Sequence, residues 1–236
     1  MSGHYFVSDV HLGIGDVSAE KRLGEFLLSI KGKSAGLYIL GDLFEFWFEY
    51  RRVVPKVGFD VLARLRELSE TGTKIFLFRG NHDIWFKGWL ETGLKVEGVF
   101  DELETVIDGL RAYLAHGDSL DQALVPRFFR FLMRSSVNGA LFSFLHPDIG
   151  FSLARRIAAK SRQGMLESGA AVAVQAALAA FAEKKIAKGC DVVMMGHSHI
   201  PEIKIFGSGT YINTGDWLKN FTYGLIKDGK ATLERF

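Results

Sequence analysis

Short apolar runs rich in β-branched and aromatic residues recur along the chain, and each is followed at once by polar residues. Tyr5-Phe6-Val7, Leu37-Tyr38-Ile39-Leu40, Lys74-Ile75-Phe76-Leu77-Phe78, Ala112-Tyr113-Leu114 and Val192-Val193-Met194-Met195 are the clearest. Runs of this kind predict buried strands that hand their polar successors to loops at one sheet edge. The pattern predicts a strand at His4 to Ser8, a helix from Ala19 to Ile30 and a strand at Leu37 to Leu40. A helix from Gly58 to Ser69 and strands at Lys74 to Phe78 and across Thr105 to Ala115 follow. This alternation predicts an α/β sheet with helices on its faces. After Asp118 it stops, and helices are expected at Leu124 to Arg134, Leu141 to Leu145 and Phe151 to Lys160. We read residues 1–236 as one domain with a helical insertion, a lid, over residues 120–169. An alanine-rich helix, Ala170 to Ala187, leads back to the strand ending at Gly196. The stretch from Thr210 to Phe236 reads as β, with Lys227-Asp228-Gly229-Lys230 as a hairpin turn.

The polar fragments at the strand ends change the picture from fold to chemistry. They are Asp9-Val10-His11, Gly41-Asp42, Gly80-Asn81-His82-Asp83, His116-Gly117-Asp118 and Gly196-His197-Ser198-His199. Together they offer carboxylate, imidazole and amide ligands enough for two metal ions. Without thiolate, the set suits Mn²⁺, Fe, Co²⁺, Zn²⁺ or Mg²⁺ in a catalytic site rather than a structural zinc. Two such ions, about 4 Å apart, generate a nucleophile at neutral pH. Asp42, in a loop directly after a strand, is placed to bridge them.

Composition narrows the class. Apolar residues make up 48% of the 236, which excludes a disordered or fibrous chain. The single cysteine, Cys190, excludes an internal disulfide and reads as a buried thiol. Neither a leader-like segment nor an apolar run of membrane-spanning length is visible, so a cytoplasmic protein is expected. The net charge of +2 is unevenly spread: Arg127, Arg130, Arg134, Arg155, Arg156, Lys160 and Arg162 face only Asp148 between Pro126 and Arg162, giving +6 there and −4 elsewhere. Such asymmetry points to phosphates, nucleic acid or an anionic membrane surface. A solvated helix face with arginines three or four residues apart is the alternative.

The five fragments, in this order across nearly the whole length, resemble the calcineurin-like metallophosphoesterases. The resemblance implies a four-layer fold, two packed sheets flanked by helices. It implies that Asp9, His11, Asp42 and His199 bind one ion, and Asp42, Asn81, His116 and His197 the other. Two divalent ions are then the cofactors, with Mn²⁺ the expected pair. His82 is implied to be a cation beside the scissile phosphate, with Asp83 orienting its ring. Asn213-Thr214-Gly215 resembles the family's structural turn.

Within that superfamily, Leu40-Gly41-Asp42-Leu43-Phe44-Glu45, His116-Gly117-Asp118 and the helical insertion resemble the UDP-2,3-diacylglucosamine hydrolases of lipid A synthesis. Phe46-Trp47-Phe48-Glu49-Tyr50 and Asn81-His82-Asp83-Ile84-Trp85 resemble their Bacteroidetes and Chlorobi branch. His82 stands where the best-known branch has Arg. The implied reaction is cleavage of the pyrophosphate to UMP and 2,3-diacylglucosamine 1-phosphate, at the inner-membrane surface to which the protein would bind peripherally.

An acylated diphosphate needs an apolar slot beside a cationic one. Phe128, Phe129, Phe131, Leu132, Met133, Leu141, Phe142, Phe144 and Leu145, interleaved with the arginines, offer both, although helix packing demands a buried stripe in any case. Lys160, Ser161 and Arg162 resemble the stretch holding the nucleotide side, and Asn81, His82 and His197 are expected against substrate as well. Asp121 is either a sugar contact or a helix N-cap. Other enzymes sharing the metals, acting on nucleotides or phosphodiesters, are the nearest alternative. A nuclease is disfavoured because the insertion lacks the polar and aromatic track that grips a strand, so no nucleic-acid partner is expected. A ligand-depleted scaffold is disfavoured because every ligand is present.

Overall fold

The structure, a computed structural model, describes residues 2–14, 17–86, 88–120, 135–167 and 170–236, giving the backbone alone for residues 17, 136, 158–167 and 170. Its strands form two sheets. In the first, β1 (Gly3–Val7), β2 (Ser34–Ile39), β3 (Lys74–Phe78) and β4 (Gly98–Phe100) run parallel, and β10 (Thr222–Lys227) and β11 (Lys230–Arg235) join antiparallel in the order β11-β10-β1-β2-β3-β4. The second has the order β5-β6-β7-β9-β8. Here β6 (Leu110–Ala115), β7 (Val192–Met195) and β9 (Gly209–Asn213) are parallel, and β5 (Glu102–Ile107) and β8 (Glu202–Phe206) are antiparallel edges.

Alternation of side chains along the strands dictates how these sheets stack. From β1, β2 and β3, Val7, Leu37, Ile39, Ile75 and Leu77 face α1 (Val17–Ile30), α2 (Phe59–Glu70) and α3 (Trp89–Leu94), in a core with Leu23, Phe26, Leu65 and Leu90. Their alternate neighbours Phe6, Tyr38, Leu40 and Phe78 meet Ala112, Leu114, Val192, Met194 and Ile212 of the second sheet. The other face of that sheet, Tyr113, Val193, Met195 and Tyr211, packs on Val174, Leu178 and Ala182 of the alanine-rich helix Ala170–Ala187. Helix, sheet, sheet and helix thus form four layers. Strands apolar on both faces are what a sheet covered on both sides requires.

Most expected elements fall where the pattern placed them, and the differences have local causes. Thr105 to Ala115 is a hairpin, turned at Asp108 and Gly109, both with positive φ (49° and 84°). The expected helix at Leu141 to Leu145 lies earlier, as α4 (Ser136–Phe142), because the backbone turns out of helix at Ser143 and Phe144. The helix expected at Phe151 to Lys160 is α5 (Pro147–Glu167), longer at both ends. α3, β4 and β8 are additional; each is short, too brief for a period to show. The helix Ala170–Ala187 is α6. Leu124 to Arg134 lies outside the described residues. Cys190 is only partly buried, packed against the core beneath α6.

Candidate metal centre

Parallel strands of both sheets end at one rim, and that is where the five polar fragments lie. β1 runs into Asp9, β2 into Asp42, β3 into Asn81, β6 into His116 and β7 into His197. The carboxyl ends of parallel strands are the usual place for a ligand in α/β folds. The chain turns sharply there: Asp9, His11, Asp42, His197 and His199 all have positive φ, between 52° and 70°. Left-handed backbone at non-glycine residues costs on the order of 1 kcal/mol or more each, and its concentration at one rim marks a functional site. Two glycines make the crowding feasible. A Cβ on Gly80 would lie 1.9 Å from Asp42 Oδ1, and one on Gly196 would lie 2.3 Å from Ser8 Oγ.

Hydrogen bonds aim the side chains inward. His116 Nδ1 donates to the Leu40 carbonyl (2.8 Å), leaving Nε2 at 3.1 Å from Asn81 Oδ1 and 3.5 Å from Asp42 Oδ2. His11 Nδ1 donates to Glu45 Oε2 (3.0 Å), and its Nε2 lies 3.3 Å from His199 Nε2 and 3.8 Å from Asp42 Oδ2. His199 Nε2 is 3.3 Å from Asp9 Oδ1. The His197 ring stacks edge-on to His116 at 5.0 Å. Asp9 Oδ2 accepts from Ser8 Oγ and from the His197 amide (2.9 Å), while Asp42 Oδ1 accepts from the His82 amide (2.9 Å).

A divalent pair fits these residues. Asp9 Oδ1 and His197 Nε2 are buried with no hydrogen-bond partner, an expensive condition unless another atom completes them. His116 and His11 each commit Nδ1 to a carbonyl or carboxylate, which fixes Nε2 as the inward nitrogen, the arrangement typical of metal-binding histidines. Close groups are formed by Asp9, His11 and His199, and by Asp9, Asp42 and His116, with Asp42 facing both halves. Burial alone raises the Asp42 pKa, but His116, His82 and His11 outweigh it and hold the carboxyl well below its ordinary range. Burial lowers the pKa of His116, and the Asp42 charge and hydrogen bond overcome this, pushing it up to about 10. His197 is held well below 6.5 by burial and by His116, so its ring is neutral.

The structure brings Asp9, His11, Asp42, Asn81, His116, His197 and His199 together. His82 is at the same rim, with a ring nitrogen within 4.8 Å of donor atoms of His11 and Asp42. The expected contact between Asp83 and the His82 ring is absent. Asp83 is fully buried and its carboxylate accepts from the amides of Gly80 (3.0 Å), Asp42 (3.1 Å) and Phe44 (3.2 Å). It therefore ties the second and third fragments together, and His82 Nδ1 donates instead to the Glu45 carbonyl (3.1 Å). Burial and the Asp42 charge raise the Asp83 pKa to about 7. Asp121 lies outside the described residues. Lys160, Ser161 and Arg162 fall in α5, whose course is described there without side chains.

Sequence reasoning gave no role to Glu45, which serves both His11 and His82. A buried acid inside the apolar run Leu43 to Phe48 is the signal that marks it. The connection from β9 to β10 also does more than turn: Trp217 N donates to the Asp9 carbonyl (3.2 Å), and Asn220 Nδ2 to the His199 carbonyl (3.1 Å).

The sequence profile of the family described as calcineurin-like phosphoesterase matches residues 5–201. The chain is 28% identical to a UDP-2,3-diacylglucosamine hydrolase of Porphyromonas gingivalis, covering 98% of this chain and 96% of that protein. It is 30% identical to a protein of the same name from Neisseria meningitidis serogroup A, covering 99% and 97%. The solved structure of an archaeal phosphodiesterase aligns over 99% of both chains at 16% identity with a TM-score of 0.51, a likeness of fold.

Proposed function

The chain belongs to the calcineurin-like phosphoesterase family, hydrolases of phosphoester and pyrophosphate bonds with a dinuclear metal site, and from that premise we propose that its substrate is UDP-2,3-diacylglucosamine. The products are UMP and 2,3-diacylglucosamine 1-phosphate, one water being added across the pyrophosphate. The observation that carries the substrate assignment is an aromatic wall beside the metal centre. Phe46, Phe48 and Tyr50 follow Glu45 directly, Trp85 follows Asp83 by two residues, and all pack with Phe142 of α4 and Phe151 of α5. Ring centroids of Phe142 lie 4.8 Å from Phe48 and 5.2 Å from Trp85. Phe46 and Phe48 are buried within this wall, and the half-buried Tyr50, Trp85, Phe142 and Phe151 offer the apolar surface that acyl chains beside a diphosphate need and a bare nucleotide does not. The names of the full-length relatives support the same reading.

Asp9, His11, Asp42 and His199 would hold one ion and Asp42, Asn81, His116 and His197 the other, with Mn²⁺ the proposed pair. When bound, the ions withdraw charge from the phosphoryl oxygens and supply a nucleophile at neutral pH. Asn81, His197 and His82 border the space where the phosphates would lie. His82 keeps Nδ1–H on the Glu45 carbonyl, so donation from Nε2 to a phosphoryl or leaving oxygen requires the imidazolium. Burial holds its pKa down in the free protein, and an anionic diphosphate beside it would push it back up. Lys160, Ser161, Arg162 and Asp121 are proposed for the nucleotide and sugar side.

Helices α4 and α5 and the turn between them present Val137, Leu141, Phe144, Ile149, Leu153 and Ile157 to solvent, with Phe144 87% exposed, and Arg155 and Arg156 are exposed on α5 as well. We propose that this face rests on the anionic inner leaflet from the cytoplasmic side, where the substrate lies. Among the described residues no helix is long and apolar enough to cross a membrane.

The test is turnover of UDP-2,3-diacylglucosamine, UDP-N-acetylglucosamine and bis(p-nitrophenyl) phosphate by the Mn²⁺-loaded protein. The diacylated substrate should be preferred by orders of magnitude, since apolar burial contributes about 0.8 kcal/mol per methylene. A protein in which a Gly/Ser linker replaces residues 120–169, shown to be folded and metal-loaded, should lose that preference and still cleave the small diester. Equal rates on acylated and bare UDP-sugar by the intact protein would overturn the assignment in favour of a general nucleotide or phosphodiester hydrolase.

A further inference from the structure

The alanine-rich helix α6 is chain-contiguous with the helical segment and also packs beneath the rim, and one polar side chain on it has no part in the chemistry described above. Gln175 is buried, 7% exposed, on a helix face otherwise made of alanine, valine and leucine. Its Nε2 donates to Glu202 Oε2 (2.5 Å) of β8, which fixes the amide orientation and turns Oε1 toward the rim. Oε1 accepts from Ser198 Oγ and from Asn213 Nδ2 (3.3 Å). Ser198 stands between His197 and His199, the two residues of that loop with left-handed backbone. Asn213 Nδ2 donates in turn to the Gly196 carbonyl (2.7 Å). One turn further along the same helix face, Leu178 approaches the His116 loop so closely that a Cβ on Gly117 would lie 2.6 Å from it.

We infer that Gln175 is a positioning residue that holds the His197-Ser198-His199 loop in its strained conformation and ties the metal centre to the helix emerging from the lid. The two loops reached from this helix face carry His116 and His197, the same half of the centre. A buried amide with three polar partners is costly to keep in an apolar layer, and a helix–sheet core needs none. Aligning two ligand histidines is a role that an apolar residue of the same size cannot fill. The inference rests on the metal-site reading only in that His197 and His199 are taken as ligands.

Gln175→Leu keeps the volume and removes both functions; Ser198→Ala removes the facing hydroxyl alone. Mn²⁺ binding to metal-stripped protein should be measured by equilibrium dialysis, alongside thermal unfolding. For Gln175→Leu the weaker of two Mn²⁺ affinities should fall about 10-fold or more, the usual scale for removing a partner behind a ligand. Ser198→Ala should give a fall of the same kind, and the double variant should fall less than the two single effects together. Activity lost at limiting Mn²⁺ should return at excess Mn²⁺. Val174→Ala, in the same core with no bond to the loop, should lower stability and leave Mn²⁺ affinity unchanged. If Gln175→Leu does not fold, Ser198→Ala carries the test. Wild-type Mn²⁺ affinities in the folded variants, or an equal loss in Val174→Ala, would overturn the inference. Absence of Mn²⁺ binding by the wild-type protein would instead overturn the metal-site reading.

Discussion

The strand-end rim and the helices between residues 135 and 167 reverse each other's chemistry. At the rim, Asp9, His11, Asp42, His116 and His197 are buried polar groups; Ser8 and neighbouring amides donate to the two carboxylates, and the Leu40 carbonyl and Glu45 carboxylate accept from His116 and His11. In the helices, Val137, Leu141, Phe144, Ile149 and Leu153 are apolar and exposed. Each arrangement is costly for an isolated soluble chain: desolvated charge at the rim, wetted hydrocarbon on the helices. Under the proposed function each becomes favourable with a partner, cations for the rim and lipid for the helices. On that reading, tolerating both in adjacent regions would let one molecule meet a phosphate and an acyl chain together.

The largest effect is expected where polar burial is deepest. Asp42 Oδ2 lies 3.8 Å from His11 Nε2 and 3.5 Å from His116 Nε2, and its charge would let either half of the rim hold a cation near the other. Asp42→Asn should lower turnover by about 10³-fold or more and reduce Mn²⁺ stoichiometry while circular dichroism is retained. Two ions bound with unchanged turnover would break the view of the rim as one centre hinged on this carboxylate.

His82 sharpens the division within the rim. With Nδ1 on a backbone carbonyl, it is proposed to act on substrate rather than to hold metal, so His82→Ala should lose about 10²-fold in kcat and keep its ions. A parallel fall in metal content would move His82 among the ligands, where its closeness to His11 and Asp42 already admits it.

How much of this was legible in the sequence differs between the two regions for the same reason. Strand ends are marked by an abrupt change from apolar to polar, and ligand types are few, so Asp9-Val10-His11 or Gly196-His197-Ser198-His199 announces a site before any geometry is known. What could not be read is what those residues lean on. Glu45, Gln175 and Asp83 act through hydrogen bonds to residues 23 to 41 positions away, or to nearby backbone amides, which no local spacing encodes. The family resemblance implies that Asp83 orients the His82 ring, and nothing in the sequence marks the three backbone amides it binds instead. In the helices the period of apolar residues is the same whether the stripe packs on a core or on lipid. Phe142 and Phe144, two residues apart, end in the aromatic wall and in solvent respectively.

Protons offer a milder test of the rim. In the metal-free protein His116 has its pKa raised from 6.5 to about 10, so the stabilisation from its pairing with Asp42 is complete below pH 6.5 and lost as pH rises through about 10. His11 is shifted upward too, since Glu45, Asp42 and Asp9 outweigh its burial. Ligation requires the bare nitrogen, so at pH 7 Mn²⁺ must displace the His116 proton, and the upward shift at His11 adds to the competition. Affinity should rise about tenfold per pH unit for each proton displaced between pH 6.5 and 8.5, with matching proton release seen by calorimetry in buffers of different ionisation enthalpy. A pH-independent affinity would mean that His116 and His11 bind no cation.

The smallest expected effect lies on the helices, where the lipid reading has to stand against an ordinary solvated face. Arg156, three residues on from Leu153, is exposed on α5 on the side that carries Leu153 and Ile157, so charge and hydrocarbon occupy one surface. A basic side chain near an anionic leaflet contributes about 1 kcal/mol, roughly a fivefold change in partitioning, and the attraction is screened within a Debye length. Arg156→Glu should therefore weaken co-sedimentation with phosphatidylglycerol-containing vesicles several-fold at low salt and barely at high salt. Leu153→Ser should weaken it at both, because hydrocarbon burial is not screened by salt. Turnover of bis(p-nitrophenyl) phosphate should be unchanged in both variants, as neither side chain belongs to the rim. If both variants bind vesicles as the wild type does, the exposed stripe serves something other than lipid, and the contrast between the two regions loses its functional meaning. If Arg156→Glu alone weakens binding, the face is held by charge and its hydrocarbon stays outside the leaflet.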